Sequence, residues 1–209
     1  MIDRRDLLRK LSLNGLGLAL LPVCDITSAL AQTPDGAVGT VSVVEGSATA
    51  RKGAEPRVLG AGQQVFAGER LQTGGESKLQ AALGAATQLY MGANTRVTID
   101  GNLVQRGGII RLGSGALMFE RRDPDPKPEV AIHSPYARLA VRGTSVFAGP
   151  SNGVFGVFVS HGEVVVTNPG GSVTLRPGEG TNITRPGAKP TPAAVWGAAR
   201  INDAMRSVR

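Results

Sequence analysis

Cysteine is nearly absent: Cys24 is the only one in 209 residues. Aromatic side chains are scarce as well, with five Phe, two Tyr and one Trp, and there are only two histidines. The chain also has no apolar run of the roughly 20 residues that a membrane-spanning helix requires. Each shortage excludes something. A lone cysteine, lying in a segment read below as a cleaved leader, leaves no disulfide, thiol nucleophile or cysteine-ligated metal. Few aromatics leave little with which to stack on nucleic-acid bases. Two histidines fall short of the three or four ligands that a zinc site usually takes.

The first thirty residues are informative. A basic cluster in Met1-Ile-Asp-Arg-Arg-Asp-Leu-Leu-Arg-Lys precedes Leu11 to Leu21, an uncharged and mainly apolar stretch. That stretch has the length of a signal-peptide core. Ala29-Leu30-Ala31 then supplies small residues ahead of Gln32, so residues 1–31 read as a cleavable signal peptide. Arg4-Arg5, followed by Leu7 and Leu8, resembles the twin-arginine export motif. Arg4, Arg5, Ala29 and Ala31 are therefore the expected signal-processing residues. Lipidation at Cys24 is disfavoured by Val23, because lipoprotein processing wants Gly, Ala or Ser there. The expected location is the periplasm or outside the cell.

Removing 31 of the 209 residues leaves 178, enough for one domain with a substantial core. The leader holds four basic and three acidic residues, so +6 of the net charge of +7 stays with the remainder. Its arginines are scattered singly along the chain, which reads as a solvated basic surface or as attraction to an anionic envelope polymer. Nucleic acid is not an expected partner.

From Val38 to Thr184 the chain is a series of short apolar runs broken by glycine turns. Leu79, Ala81 and Leu83 alternate with Gln80 and Ala82, and Val97-Thr98-Ile99 meets Asp100-Gly101. Val130 to His133 stops at Ser134-Pro135, and Leu139 to Arg142 stops at Gly143. Runs of this length at this spacing predict an all-β fold, a sandwich, barrel or solenoid. After a short segment at 32–37, the β domain is placed at 38–184, with a Pro-rich connector at 123–128. Residues 185–192 read as a linker. A short amphipathic α-helix is expected at 193–208, with Thr191 as N-cap and Pro192 in its first turn. Its apolar stripe would be Ala194, Ala198, Ile201, Met205 and Val208.

Catalytic groupings are weak. His133, His161 and Glu163 lack metal-site spacing, and no local sequence supports a triad from Ser134 or Ser160. Glu163 and Glu179 hold matching turn positions without further support as a carboxylate pair. No nucleophile elbow or phosphate-binding loop occurs. No catalytic residue, cofactor or metal is assigned. The motif Arg142-Gly143-Thr144 reads as structural: the glycine permits a bend, and the threonine hydroxyl satisfies a backbone group there. Tyr136, Arg138 and Arg142 are the candidate recognition patch.

The order of these pieces resembles the FecR domain, the periplasmic sensing part of ferric-citrate-type regulators. The pieces run from Val38-Gly39-Thr40-Val41 through Gly68-Glu69-Arg70-Leu71-Gln72-Thr73-Gly74 and Asn94-Thr95. The run Val141-Arg142-Gly143-Thr144-Ser145-Val146-Phe147 carries the most specific likeness, and Gly162-Glu163-Val164 and Leu175-Arg176-Pro177-Gly178-Glu179 close the series. The resemblance implies a β-solenoid or sandwich-like domain with no catalytic residues. It also implies a generic sensing or binding role outside the cytoplasm. In this sequence neither a cytoplasmic anti-sigma segment nor a transmembrane helix is recognised, so iron regulation is not carried over. The expectation is an exported, non-catalytic binding and signalling module with an envelope protein or anionic polymer as partner. A structural β-solenoid spacer is the alternative, with an envelope enzyme less favoured.

Overall fold

In a computed structural model of the chain, residues 36–100, 107–121 and 129–209 are described. The expected signal peptide, with Arg4, Arg5, Ala29 and Ala31, and the connector at 123–128 lie outside them. The strands in chain order are β1 Ala37–Glu45, β2 Ala48–Arg51, β3 Pro56–Val58, β4 Gln64–Phe66, β5 Arg70–Thr73, β6 Lys78–Ala82, β7 Thr87–Met91 and β8 Arg96–Asp100. They continue as β9 Gly108–Ser114, β10 Leu117–Arg121, β11 Val130–His133, β12 Arg138–Ser151, β13 Val154–Asn168, β14 Gly171–Leu175, β15 Glu179–Ile183 and β16 Ala194–Val195. The helix α1 Ala198–Arg206 follows them among the described residues. The all-β expectation holds.

The strands form one hydrogen-bonded sheet that folds over a common core. One arm runs β3-β2-β5-β8-β9-β11 and the other β10-β7-β6-β1-β4, and both join β12. All described pairings are antiparallel except β9 with β11. The hinge is the long β12–β13 hairpin. The first half of β12 pairs with β11 and its second half with β10, while β13 follows it along the other edge. The register of β12 shifts between Arg142 and Val146, and this bulge lets one strand serve both arms.

Alternation along each strand sends one set of side chains inward. Leu71, Val97, Ile99, Ile110 and Ile132 from the first arm meet Val41, Leu79, Leu89, Met91, Leu117 and Phe119 from the second in a single buried cluster. The outer faces of the two arms differ. On the second arm β10 is buried at every position, because Met118 points outward under a second cluster. That cluster brings Phe147, Phe158 and Trp196 together with Ala204 and Val208, so the C-terminal segment roofs this face. On the first arm the outer face carries a polar and charged row beside an apolar one of Ile109, Ala131, Ala140 and Val165.

The C-terminal expectation needs correction. Residues 194–195 pair with β15 as β16, and the helix starts only at Ala198, with Gly197 as its N-cap. Thr191 caps no helix. Its hydroxyl accepts from the Asn182 amide and its carbonyl accepts from Thr181 Oγ1. Backbone pairing to a free strand edge prevailed over the helical propensity of Ala193-Ala194. Ala194 and Ala198 leave the expected apolar stripe and are exposed, whereas Ile201, Met205 and Val208 pack as expected and Ala204 joins them.

Candidate functional site

Two surfaces carry the chemistry that the fold exposes. The first is a groove of about 460 Å³ at one end of the β12–β13 hairpin. Tyr136, in the turn between β11 and β12, stacks face to face on Phe155 of β13 with ring centroids 4.4 Å apart. The turn is rigid because Ser134 Oγ donates to the Ala137 carbonyl and accepts from the amides of Tyr136 and Ala137. Asn168 Nδ2 donates to the Tyr136 carbonyl at 3.0 Å and fixes the turn from the far side. Leu112, Pro135, Pro150, Val154 and Pro186 add apolar surface, Ser114 and Thr184 add hydroxyls, and no side chain charged at neutral pH takes part. Such a groove can bind an extended apolar segment.

The second surface is the open face of the first arm. Register places Arg51 opposite Arg70, Arg70 opposite Thr98 and Thr98 opposite Arg111. The row continues with His133 opposite Arg111, Arg138 opposite His133, Thr167 opposite Arg138 and Ser172 opposite Thr167. The four arginines in this row are all exposed. A flanking row adds Arg96, which lines a depression of about 260 Å³ with Arg51 and Arg70. Among the described residues, Asp100 is the only carboxylate ion-paired with the row, and it meets Arg111 at 2.5 Å. Partial burial, followed by the charges of Arg138 and Arg111, holds His133 below the ordinary histidine value, while Asp100 pulls the other way.

The expected patch of Tyr136, Arg138 and Arg142 divides between these surfaces. Tyr136 belongs to the groove and Arg138 to the cationic row. The backbone of Arg142 pairs with Glu163 at the bulge. Sequence reasoning missed Phe155, which reads as one more core residue in Val154 to Val159. It also missed the row, because its arginines stand alone in sequence and meet only through strand register. His133, His161 and Glu163 form no metal-binding group among the described residues. Glu179 instead accepts from the Arg176 amide, and Glu163 lies 4.0 Å from the Arg176 guanidinium.

The Arg142-Gly143-Thr144 reading is corrected in two respects. Leu139 to Arg142 does not stop at Gly143, since β12 continues to Ser151 and Gly143 sits within the bulge. Thr144 Oγ1 is buried with no hydrogen-bond partner among the described residues, so it does not satisfy a backbone group at a bend. Gly143 does adopt a left-handed conformation, with φ +52°, and a Cβ there would meet nothing within 4 Å. Gly143→Val is therefore expected to cost about 1–3 kcal/mol through backbone strain alone. A reduced melting temperature with an unchanged β-type circular dichroism spectrum would bear this out, and an unaltered melt would refute it.

Residues 69–165 match the family model described as FecR protein. This span runs from the start of β5 into β13, while β1–β4, β14 and β15 lie outside it yet hydrogen-bond into the same sheet. No curated protein sequence matches the chain. Matching solved structures include two crystal structures, at 1.65 and 2.50 Å resolution, of a candidate anti-sigma factor from Parabacteroides distasonis ATCC 8503. Each has a TM-score of 0.54 at 17% identity over 64% of this chain. The match spans 62% of the length of those structures and is a likeness of fold.

Proposed function

We propose, from the premise that residues 69–165 are a FecR segment, that this chain is an exported, non-catalytic signal-sensing module working in the periplasm or cell envelope. Its task is to bind a partner protein through the groove at Tyr136 and Phe155. The observation that carries this reading is the groove itself, concave and apolar, built mostly from the FecR segment and closed by a stacked aromatic pair. An uncharged lining favours recognition over reaction. The P. distasonis structures, described as a candidate anti-sigma factor, support a regulatory reading of the fold. Among the described residues no helix is long and apolar enough to cross a membrane. The Arg4-Arg5 motif and Ala29-Leu30-Ala31 support export by the twin-arginine route.

Two measurements test the proposal. Mass analysis of the chain from the periplasmic fraction is expected to find Gln32 at the N-terminus, and Arg4→Lys with Arg5→Lys is expected to hold the precursor in the cytoplasm. A photo-reactive residue at Pro150, on the groove rim, is expected to yield one discrete protein adduct in cells, lost on Tyr136→Ala. An unprocessed cytoplasmic chain would refute the export half. The absence of any adduct, or an adduct indifferent to Tyr136, would refute the groove.

A further inference from the structure

We propose that the open face of the first arm is a binding site for a linear acidic polysaccharide, with Arg51, Arg70, Arg111 and Arg138 clamping its carboxylates. This deepens the sensing reading by naming a ligand class, on a face separate from the groove. The argument starts from electrostatics. Like charges placed directly opposite one another on neighbouring strands destabilise a sheet, and Arg51 stands directly opposite Arg70. Among the described residues no ion pair engages Arg51, Arg70 or Arg138, and Arg111 alone has a carboxylate partner. Apart from Arg111, the described residues leave this line of positive charge without a carboxylate partner. His133, between Arg111 and Arg138, is depressed in part by that same charge.

The geometry selects the ligand's shape. Neighbouring strands lie about 4.8 Å apart, so Arg70, Arg111 and Arg138 recur about every 10 Å, and Arg51 to Arg138 spans about 24 Å. A single small anion would meet one or two of these groups, whereas a thin polyanion can meet all of them. Guanidinium forks suit carboxylates, which they bind through two parallel hydrogen bonds. Thr98 and Thr167 stand in the same row and offer hydroxyls to a hydroxyl-rich chain. No Phe, Tyr or Trp stands in the row, so single-stranded nucleic acid would find no stacking platform. On the opposite outer face, Trp196 and α1 cover the sheet, whereas on this one Arg51, Arg70, Arg111 and Arg138 are exposed.

Titrating the purified chain with a polygalacturonate fragment tests the site. Polyglutamate and oligodeoxythymidylate of equal charge serve as competing probes. Binding to polygalacturonate is expected at about 50 mM salt and should weaken steeply towards about 300 mM. The combined Arg70→Gln, Arg111→Gln, Arg138→Gln variant is expected to bind about tenfold more weakly. Its lysine counterpart, which retains the charge, should bind better than the glutamine variant. Combined Lys78→Gln, Arg185→Gln, Arg206→Gln removes the same charge elsewhere and should change affinity by less than about twofold. The NMR titration of His133 should move upward when polymer is bound, because a carboxylate chain favours the imidazolium. Equal losses in the two glutamine variants, an unmoved His133, or tighter binding of polyglutamate or the oligonucleotide would overturn the proposal. Tyr136→Ala is expected to leave polymer binding intact, so failure of the groove and failure of the row are separately visible.

Discussion

Trp196→Ala is expected to lower unfolding stability by about 3–5 kcal/mol and to remove most of the helical circular dichroism signal. Trp196 is 5% exposed. Its indole stacks on Phe158 at 5.2 Å, meets Phe147 edge-on at 6.5 Å, and carries the Arg200 guanidinium 3.6 Å above the ring. It fits only because Gly156 and Gly180 beneath it lack side chains; a Cβ at Gly180 would come within 2.5 Å of Trp196 Cε2. Removing the ring leaves a cavity under α1. A helix of nine residues is not stable in water by itself, so its order depends on this roof. Chemical denaturation together with the 222 nm signal provides the check. A loss below about 1 kcal/mol with the helical signal intact would mean that β15–β16 pairing holds the segment instead.

The second large effect is expected at Gly115, and a comparison with Gly143 isolates its cause. Both glycines have positive φ, +80° at Gly115 and +52° at Gly143. Alanine at Gly143 would enter open space and bear only backbone strain, about 1–2 kcal/mol. Alanine at Gly115 would also place its Cβ 2.5 Å from Thr95 Cα and 2.8 Å from Thr95 Cβ. Thr95 is fully buried and cannot withdraw. Its hydroxyl accepts from the Ala116 amide, and its own amide donates to Thr73 Oγ1, which in turn donates to the Gly92 carbonyl. These bonds tie β5 and the start of β8 to β10. Strain of about 1–3 kcal/mol and overpacking of similar size give about 3 kcal/mol or more for Gly115→Ala. Melts of the two alanine variants side by side would decide, and equal losses would show that φ alone matters.

The all-β class was legible from the chain, because alternation at Leu79 to Leu83 and Val97 to Ile99 leaves a strand only one face to bury. The continuous apolar run Ala116 to Phe119 leads into β10, which is buried on both faces in the fold. What covers it was not legible, since Trp196 and Met118 are 78 residues apart and meet only in the fold. The helix start was misplaced because Ala193 to Val195 satisfies helical and extended patterns alike. The tie was broken by the unpaired edge of β15, a partner that sequence alone does not display. Of the groove, Tyr136 was visible through its Ser-Pro turn, whereas Phe155 resembled every other inward residue of its strand.

The sequence by itself determined composition, period and turn chemistry: a succession of short alternating runs, glycine turns between them, and a basic excess. Those are local properties, set by each residue and its near neighbours in the chain. The tertiary structure alone decided which pieces lie side by side. Arg51, Arg70, Arg111 and Arg138 are spread over 88 positions of sequence, and nothing within any one stretch marks them as a set. Hydrogen-bond register brings them into one row, because a strand slipped by a single residue would turn its arginine from the solvent face into the core. Burial of Leu71, Ile110 and Leu139 beside them forbids that slip. The apolar side of each strand thus fixes the position of the charge on its other side.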